Sequence, residues 1–193
     1  MESTPAGQPI EAPRPARVAL SPVPTRTVMD DRRIELLQRT PIFGAIQAPT
    51  LEVLLRGTVN VEVAGGALFF REGEAANAMF VLESGRVSVV KRRGGVDHHL
   101  RVLSAGDCFG EMALIDMSPR SASVIALEDC SAIRLTNADL YRVYQSDLEQ
   151  FALIQMNLAR ELSRRLRIAN ERLFGIEVEP ESRGDPASSF TDI

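Results

Sequence analysis

Between Val59 and Leu135 the chain is cut into short apolar segments by glycine turns at roughly 8–12 residue spacing, and this rhythm limits the fold more than any other feature. Val59–Val63 alternates and ends at Gly65-Gly66. Ala67–Arg71 is followed by Glu72-Gly73-Glu74. The apolar run Met79–Leu82 ends at Gly85, and the alternating Val87–Val90 at Gly94-Gly95. Leu100 and Val102 alternate with Arg101 ahead of Gly106, and Ser121–Leu127 and Ser131–Leu135 complete the series. Segments of this length can bury an apolar face only by pairing around a common interior, so a β-barrel or jelly roll is predicted. One stretch breaks the rhythm. Glu111-Met-Ala-Leu-Ile reads as a helix of one or two turns set between two strands.

Helical patterns flank the β region. Ile34, Leu36 and Leu37 suit a short helix that Asp30 and Asp31 would cap and Pro41 would end. Ile42-Phe43 forms an apolar hook before Gly44. Thr50 is placed as the N-cap of a second helix carrying Leu51, Leu54 and Leu55. After Asn137 the period becomes helical again. Ala138–Tyr144 is a short helix and Asp147–Leu173 a long one. Its stripe of Phe151, Ile154, Leu158, Leu162, Leu166, Ala169 and Leu173 faces the roll. A second stripe, Leu148, Ala152, Met156 and Ala159, needs another surface, which predicts a homodimer through this helix. Gly175 is the expected stop. Arg160, Arg164, Arg165, Arg167 and Arg172 form a charged flank, expected to be solvated. The predicted organisation is a Pro-rich disordered arm over 1–29, one folded domain over 30–174, and a polar, acidic disordered tail over 175–193. Within the domain, helices occupy 31–58, the roll 59–136 and the C-terminal helices 138–174.

Composition narrows the partners. A net charge of −4 over 193 residues does not favour nucleic acid. No run of about 20 apolar residues suits a membrane span, and no secretory signal opens the chain, so a cytoplasmic location is expected. Cys108 and Cys130 are far apart, outside any C-x-x-C pattern, and His98 and His99 are adjacent. On a strand, adjacent side chains point to opposite faces, so no metal site is expected and a cupin-like enzyme is a remote alternative. No nucleophile–base pair is visible, and an enzyme is not predicted.

The chemistry concentrates in Cys108–Val124. A helix starting at Glu111 would leave backbone N–H groups free for an anion. Gly110 would let a ligand approach the backbone, and Pro119 would stiffen the return. Arg120 offers a planar donor fork suited to phosphate, with the Ser121 hydroxyl beside it. Glu111, acceptor-only when ionised, suits sugar hydroxyls. The plainer alternative is that Glu111 opens the helix and pairs with Arg120.

Gly110-Glu-Met-Ala-Leu followed by Pro119-Arg-Ser-Ala-Ser-Val resembles the phosphate-binding cassette of cyclic nucleotide-binding domains, as found in catabolite activators, regulatory subunits of cAMP-dependent protein kinase and gated channels. Glu72-Gly73-Glu74, Glu83-Ser-Gly85-Arg-Val and Ala105-Gly-Asp-Cys-Phe-Gly-Glu111 follow that family's order. The resemblance spans about residues 30–174. It implies an α+β, mainly β fold: an eight-stranded β-roll (a double-stranded β-helix, or jelly roll) with N-terminal helices and a long C-terminal helix. It implies a ligand site at Gly110, Glu111, Met112, Ala113, Arg120, Ser121 and Ala122. Glu111 would meet the ribose hydroxyl. Arg120 would meet the cyclic phosphate, aided by Ser121 and by N–H groups around Ala113 and Ala122. Val89 and Leu100 would line the base, and Asn170 would either meet it or remain a solvated helix residue. The resemblance favours cAMP as ligand, with cGMP possible, and a receptor that signals to a protein effector or second subunit. The tail after Phe174 is too short and polar for a helix-turn-helix, so no DNA-binding domain is expected. A module of the same fold that binds no ligand is the alternative.

Overall fold

A computed structural model describes residues 28–178. The arm and tail expected over 1–29 and 175–193 fall outside the described residues, except at their inner ends, which are helical. Two helices, α1 (Val28–Arg39) and α2 (Ala48–Leu55), lead into β1 (Val59–Val63), β2 (Leu68–Phe70), β3 (Ala78–Ser84), β4 (Arg86–Arg93), β5 (Val96–Ser104) and β6 (Cys108–Phe109). The short helix α3 (Met112–Ile115) precedes β7 (Ser123–Ala126) and β8 (Cys130–Thr136). Helices α4 (Asn137–Ser146) and α5 (Leu148–Val178) close the described chain. All strand pairs are antiparallel. They form two four-stranded sheets, β1-β8-β3-β6 and β2-β7-β4-β5, the two walls of a β-roll.

Strand alternation explains the apolar run at 79–82. Met79 and Val81 of β3 join a core shared with the helices, while Phe80 and Leu82 join the core inside the roll. Ile133 and Leu135 of β8 likewise face the helices, and Ala132 faces inward. A strand buried on both faces reads as a continuous apolar run. The helix-side core also holds Leu37, Phe43, Leu51, Leu54, Val143, Ile154 and Leu158. It seats α1, α2, α4 and the first half of α5 against one wall of the roll.

Several boundaries differ from the sequence expectation. Helix α1 begins at Val28, so Asp30 and Asp31 lie in its first turn rather than at its cap. Gln47, not Thr50, is the N-cap of α2, because Pro49 sits in the first turn, where its fixed φ fits and its missing N–H costs nothing. Strand β6, two residues long, had no pattern of its own to reveal it. Helix α4 starts from a capping box between Thr136 and Asp139. Helix α5 runs through Gly175 to Val178; one glycine costs a helix only about 1 kcal/mol and need not end it.

The expected apolar stripe of α5 is only partly used. Ile154 and Leu158 are buried, but Leu166, Ala169 and Leu173 are exposed. The buried face continues instead through Glu161, with Arg165 largely covered one turn further on. Helical spacing of 4, 3 and 4 puts Ile154, Leu158, Glu161 and Arg165 on one side. The contact with the roll therefore changes from apolar to ionic halfway along the helix.

Candidate functional site

β6 pairs with β3, which turns Cys108 toward the helices and Phe109 into the roll. Gly110 follows with φ of 76°, a left-handed conformation that side-chain-bearing residues avoid. A Cβ at Gly110 would also lie 2.5 Å from Arg120 Nη1. Glycine is thus favoured on two grounds. Glu111 then caps α3, whose first N–H groups have no partner within so short a helix.

The return segment is pinned on both sides. Arg120 N donates to Glu74 O at 2.9 Å, and Gly73 N donates to Arg120 O at 2.9 Å. Glu72 N donates to Ser123 Oγ at 2.9 Å, and Lys91 Nζ donates to Ser121 O at 2.8 Å. Arg120 is buried; its Nη1 donates to Gly110 O at 3.0 Å. Its guanidinium lies 3.9 Å from the centroid of Phe70, within an aromatic cluster completed by Phe80 and Phe109. Burial pushes Arg120 below the usual arginine range, with Glu74 opposing. An arginine stays charged through such a shift. One carbonyl cannot satisfy its donor fork, so Arg120 keeps donors for an anion.

Glu111 does not pair with Arg120. It is buried and accepts from Arg165 Nη1 at 2.5 Å. Arg165 also donates to Cys108 O at 3.2 Å and, through Nε, to Glu161 at 2.6 Å. Arg164 grips Glu161 with both Nε and Nη2, at 2.9 and 2.8 Å. The expectation of a solvated arginine flank therefore fails at Arg165, whose side chain is only 16% exposed. Burial pulls the proton affinity of Arg165 down, but Glu111, Cys108 and Glu161 outweigh it and the net shift is upward. Glu161 is held below the usual carboxylate range, chiefly by Arg164 and then by Arg165. Burial pushes the Cys108 thiol up to about 12, so it is neutral at physiological pH.

These groups surround one cleft. Its inner part has a cavity volume of about 70 Å³ and is lined by Gly110, Glu111, Met112, Ala113, Arg120, Ser121 and Ala122, together with Phe70, Val89, Arg101 and Pro119. A wider outer part lies between the roll and α5, with walls that include Leu100, Ile115, Leu162, Leu166, Ile168 and Ala169. Every predicted site residue except Asn170 lines one part or the other. Asn170 is exposed and lines neither, because the helix turns its neighbour Ala169 to the cleft instead. Sequence reasoning missed Phe70, Arg101 and Arg165. Arg165 was detectable as the residue four after Glu161, on the face of Ile154 and Leu158. Among the described residues no cluster of three or more His, Cys, Asp or Glu could hold a metal, and no helix is long and apolar enough to cross a membrane.

Residues 60–147 match the model of the cyclic nucleotide-binding domain family. The chain is 30% identical to the cyclic AMP receptor protein of Thermus thermophilus over 71% of its own length and 62% of that protein's. It is 35% identical to a cyclic nucleotide-gated potassium channel of Rhizobium etli, over 61% of this chain and 32% of the channel. The crystal structure of the Thermus thermophilus catabolite activator protein superposes with a TM-score of 0.64 at 29% identity, over 72% of this chain and 63% of that one. The chain spans about three fifths of the length of the first two curated relatives it matches. Its residues 60–147 are similar to the cyclic nucleotide-binding domain family, and the expected β-roll is the fold observed.

Proposed function

We propose, from that similarity, that this chain is a receptor for a 3′,5′-cyclic nucleotide, with cAMP the ligand its relatives' names point to and cGMP the alternative. The observation that carries the reading is the convergence of Arg120, Glu111 and Ser121 on one cleft beside the start of α3. In this reading Arg120 receives the cyclic phosphate. Its guanidinium is already oriented by Gly110 O and Phe70, so binding costs little side-chain freedom. Ser121 and the N–H groups near Ala113 and Ala122 complete the phosphate contacts, and Glu111 takes the ribose hydroxyl. The base lies in the outer cleft against Val89 and Leu100, under α5.

Signalling runs through α5. Its Arg165 holds the same carboxylate that the ribose would engage, so ligand and helix meet at one group. A ligand moves that equilibrium only by the difference in its affinity for the two helix positions. The readout passes to a protein effector or to a second subunit. Exposed Met156, Leu166, Leu173 and Phe174 on α5 support a homodimer through that helix. A cytoplasmic regulatory module, without enzymatic activity or direct nucleic-acid contact, fits this reading.

Calorimetric titration with cAMP, cGMP and a cyclic dinucleotide tests it. A cyclic mononucleotide should bind. Arg120→Ala should weaken binding roughly tenfold to hundredfold by removing charge-assisted hydrogen bonds, and Glu111→Ala should weaken it as well. Wild-type protein that binds no cyclic mononucleotide at millimolar concentration sinks the proposal and leaves a ligand-free interaction module. Light scattering with and without nucleotide reports the dimer; a monomer under both conditions removes it.

A further inference from the structure

Two tyrosines stack on the outer surface of α4. Tyr141 and Tyr144, at i and i+3, share one face of the helix, and their ring centroids are 5.7 Å apart at 20°. Across the corner between α4 and α5, Tyr144 meets Phe151 edge-on at 5.4 Å. Leu148 precedes Phe151 by one turn of α5 and is 61% exposed, and Tyr141 and Tyr144 are 56% and 46% exposed. The three rings and the leucine form an apolar strip that faces solvent. None of them lines the cleft described above.

Exposed aromatic rings in a row are the surface on which polyproline II segments dock, because the rings pack between successive prolines and the segment's preset backbone loses little entropy. The chain carries such a sequence itself. Residues 13–24, outside the described residues, read Pro-Arg-Pro-Ala-Arg-Val-Ala-Leu-Ser-Pro-Val-Pro. Charge favours the match. Residues 12–27 hold Arg14, Arg17 and Arg26 and no acidic residue. From Tyr144 to Phe151 the strip holds Asp147 and Glu149 and no basic residue, and the adjacent Arg142 is already paired with Asp139. One oxygen of Asp147 accepts from Gln150 N, while Glu149 is exposed. Reach is sufficient as well. Helix α1, where the arm joins, shares one core with α4 and α5 through Leu37, Val143 and Ile154. The 27 residues ahead of α1, at about 3 Å each in polyproline II, reach about 80 Å, roughly twice the width of a domain this size.

We infer that the Pro-rich arm of this chain docks on its own Tyr141–Tyr144–Phe151 strip. Tethering supplies an effective concentration on the order of 1 mM, so weak intrinsic affinity is enough to keep the strip covered. A docked arm closes this surface to outside partners. It also sits on the corner from which α5 departs, so the arm and that helix share a contact. Docking requires no nucleotide and stands apart from the receptor reading.

The chain has two tyrosines and no tryptophan, so its tyrosine emission reports on this strip alone. Acrylamide quenching of that emission is measured on the full chain, without nucleotide, for wild type and for a variant carrying Pro13→Ala, Pro15→Ala, Pro22→Ala and Pro24→Ala. All four substitutions lie outside the folded domain. If the arm hides half of the exposed ring area, the variant's quenching constant should be about twofold higher than that of wild type. A peptide of residues 12–27 added to the variant should restore protection at roughly millimolar concentration. Wild-type protection should be independent of protein concentration. Equal quenching of wild type and variant overturns the inference, as does a peptide that protects nothing. Protection that grows with protein concentration also overturns it and puts the arm of a second copy on the strip.

Discussion

Replacing Arg165 with methionine removes the side chain that ties α5 to Glu111 while keeping most of its length. Values for exposed ion pairs, about 0.2–1 kcal/mol, do not apply, because the Glu111 and Glu161 side chains are only 5% and 4% exposed. Breaking a buried pair by deleting one partner costs about 3–5 kcal/mol, since the other charge stays buried without compensation. Glu161 keeps both hydrogen bonds from Arg164. Glu111 accepts from no other side chain among the described residues, but it lines the cleft, where water can partly rehydrate it. The lower end, about 3 kcal/mol, is therefore expected. For a chain of this size that corresponds to a fall in Tm of roughly 6–12 °C. Urea unfolding with unchanged m-values measures it. The double variant Glu111→Gln with Arg165→Met should recover most of the loss, because a neutral amide no longer needs the cation. A single-variant loss below about 1 kcal/mol, or losses that simply add in the double variant, would refute the argument that the pair acts as a buried unit.

Two further predictions concern the same region. Gly110→Ala forces both a strained φ and a contact with Arg120 Nη1, whereas Gly73→Ala, at φ of 82° with open space around its Cβ, brings the strain alone. Urea unfolding should show about 1 kcal/mol lost at Gly73 and about 2–4 kcal/mol at Gly110, and equal losses would mean that Arg120 yields freely. Glu161 has its folded-state pKa depressed below the ordinary 4.5, so its stabilisation is complete above that value and is lost as pH falls through the lower, folded-state pKa. The stability gap between wild type and Glu161→Gln should be constant from neutral pH down to about pH 5 and close on further acidification; a gap unchanged at pH 3 contradicts the ion cluster.

The parts of the site that were legible in the sequence are those fixed by local chemistry. Gly110 was readable because a glycine just ahead of a helix start lets a ligand approach the backbone, and Arg120 because a guanidinium beside Ser121 after a proline suits an anion. The roll was readable because glycine turns and apolar runs divide the chain whatever the tertiary details. Three things depended on relations between distant segments and left no local mark. Phe70 became part of the site only when Arg120, 50 residues on, stacked against it. Arg165 looked solvated because five arginines on one helix average to a polar flank, and only the phase set by Ile154 and Leu158 picks one of them out. Arg101 is the sharpest case. Period-2 logic admits Leu100 to the cleft and excludes its neighbour, and this logic holds for a strand in regular register. The register shift between Val89 and Val90 in the β4–β5 ladder accompanies the placement of both in the cleft lining. A register shift is a property of two strands together, so no reading of β5 alone could have shown that Arg101 reaches the cleft.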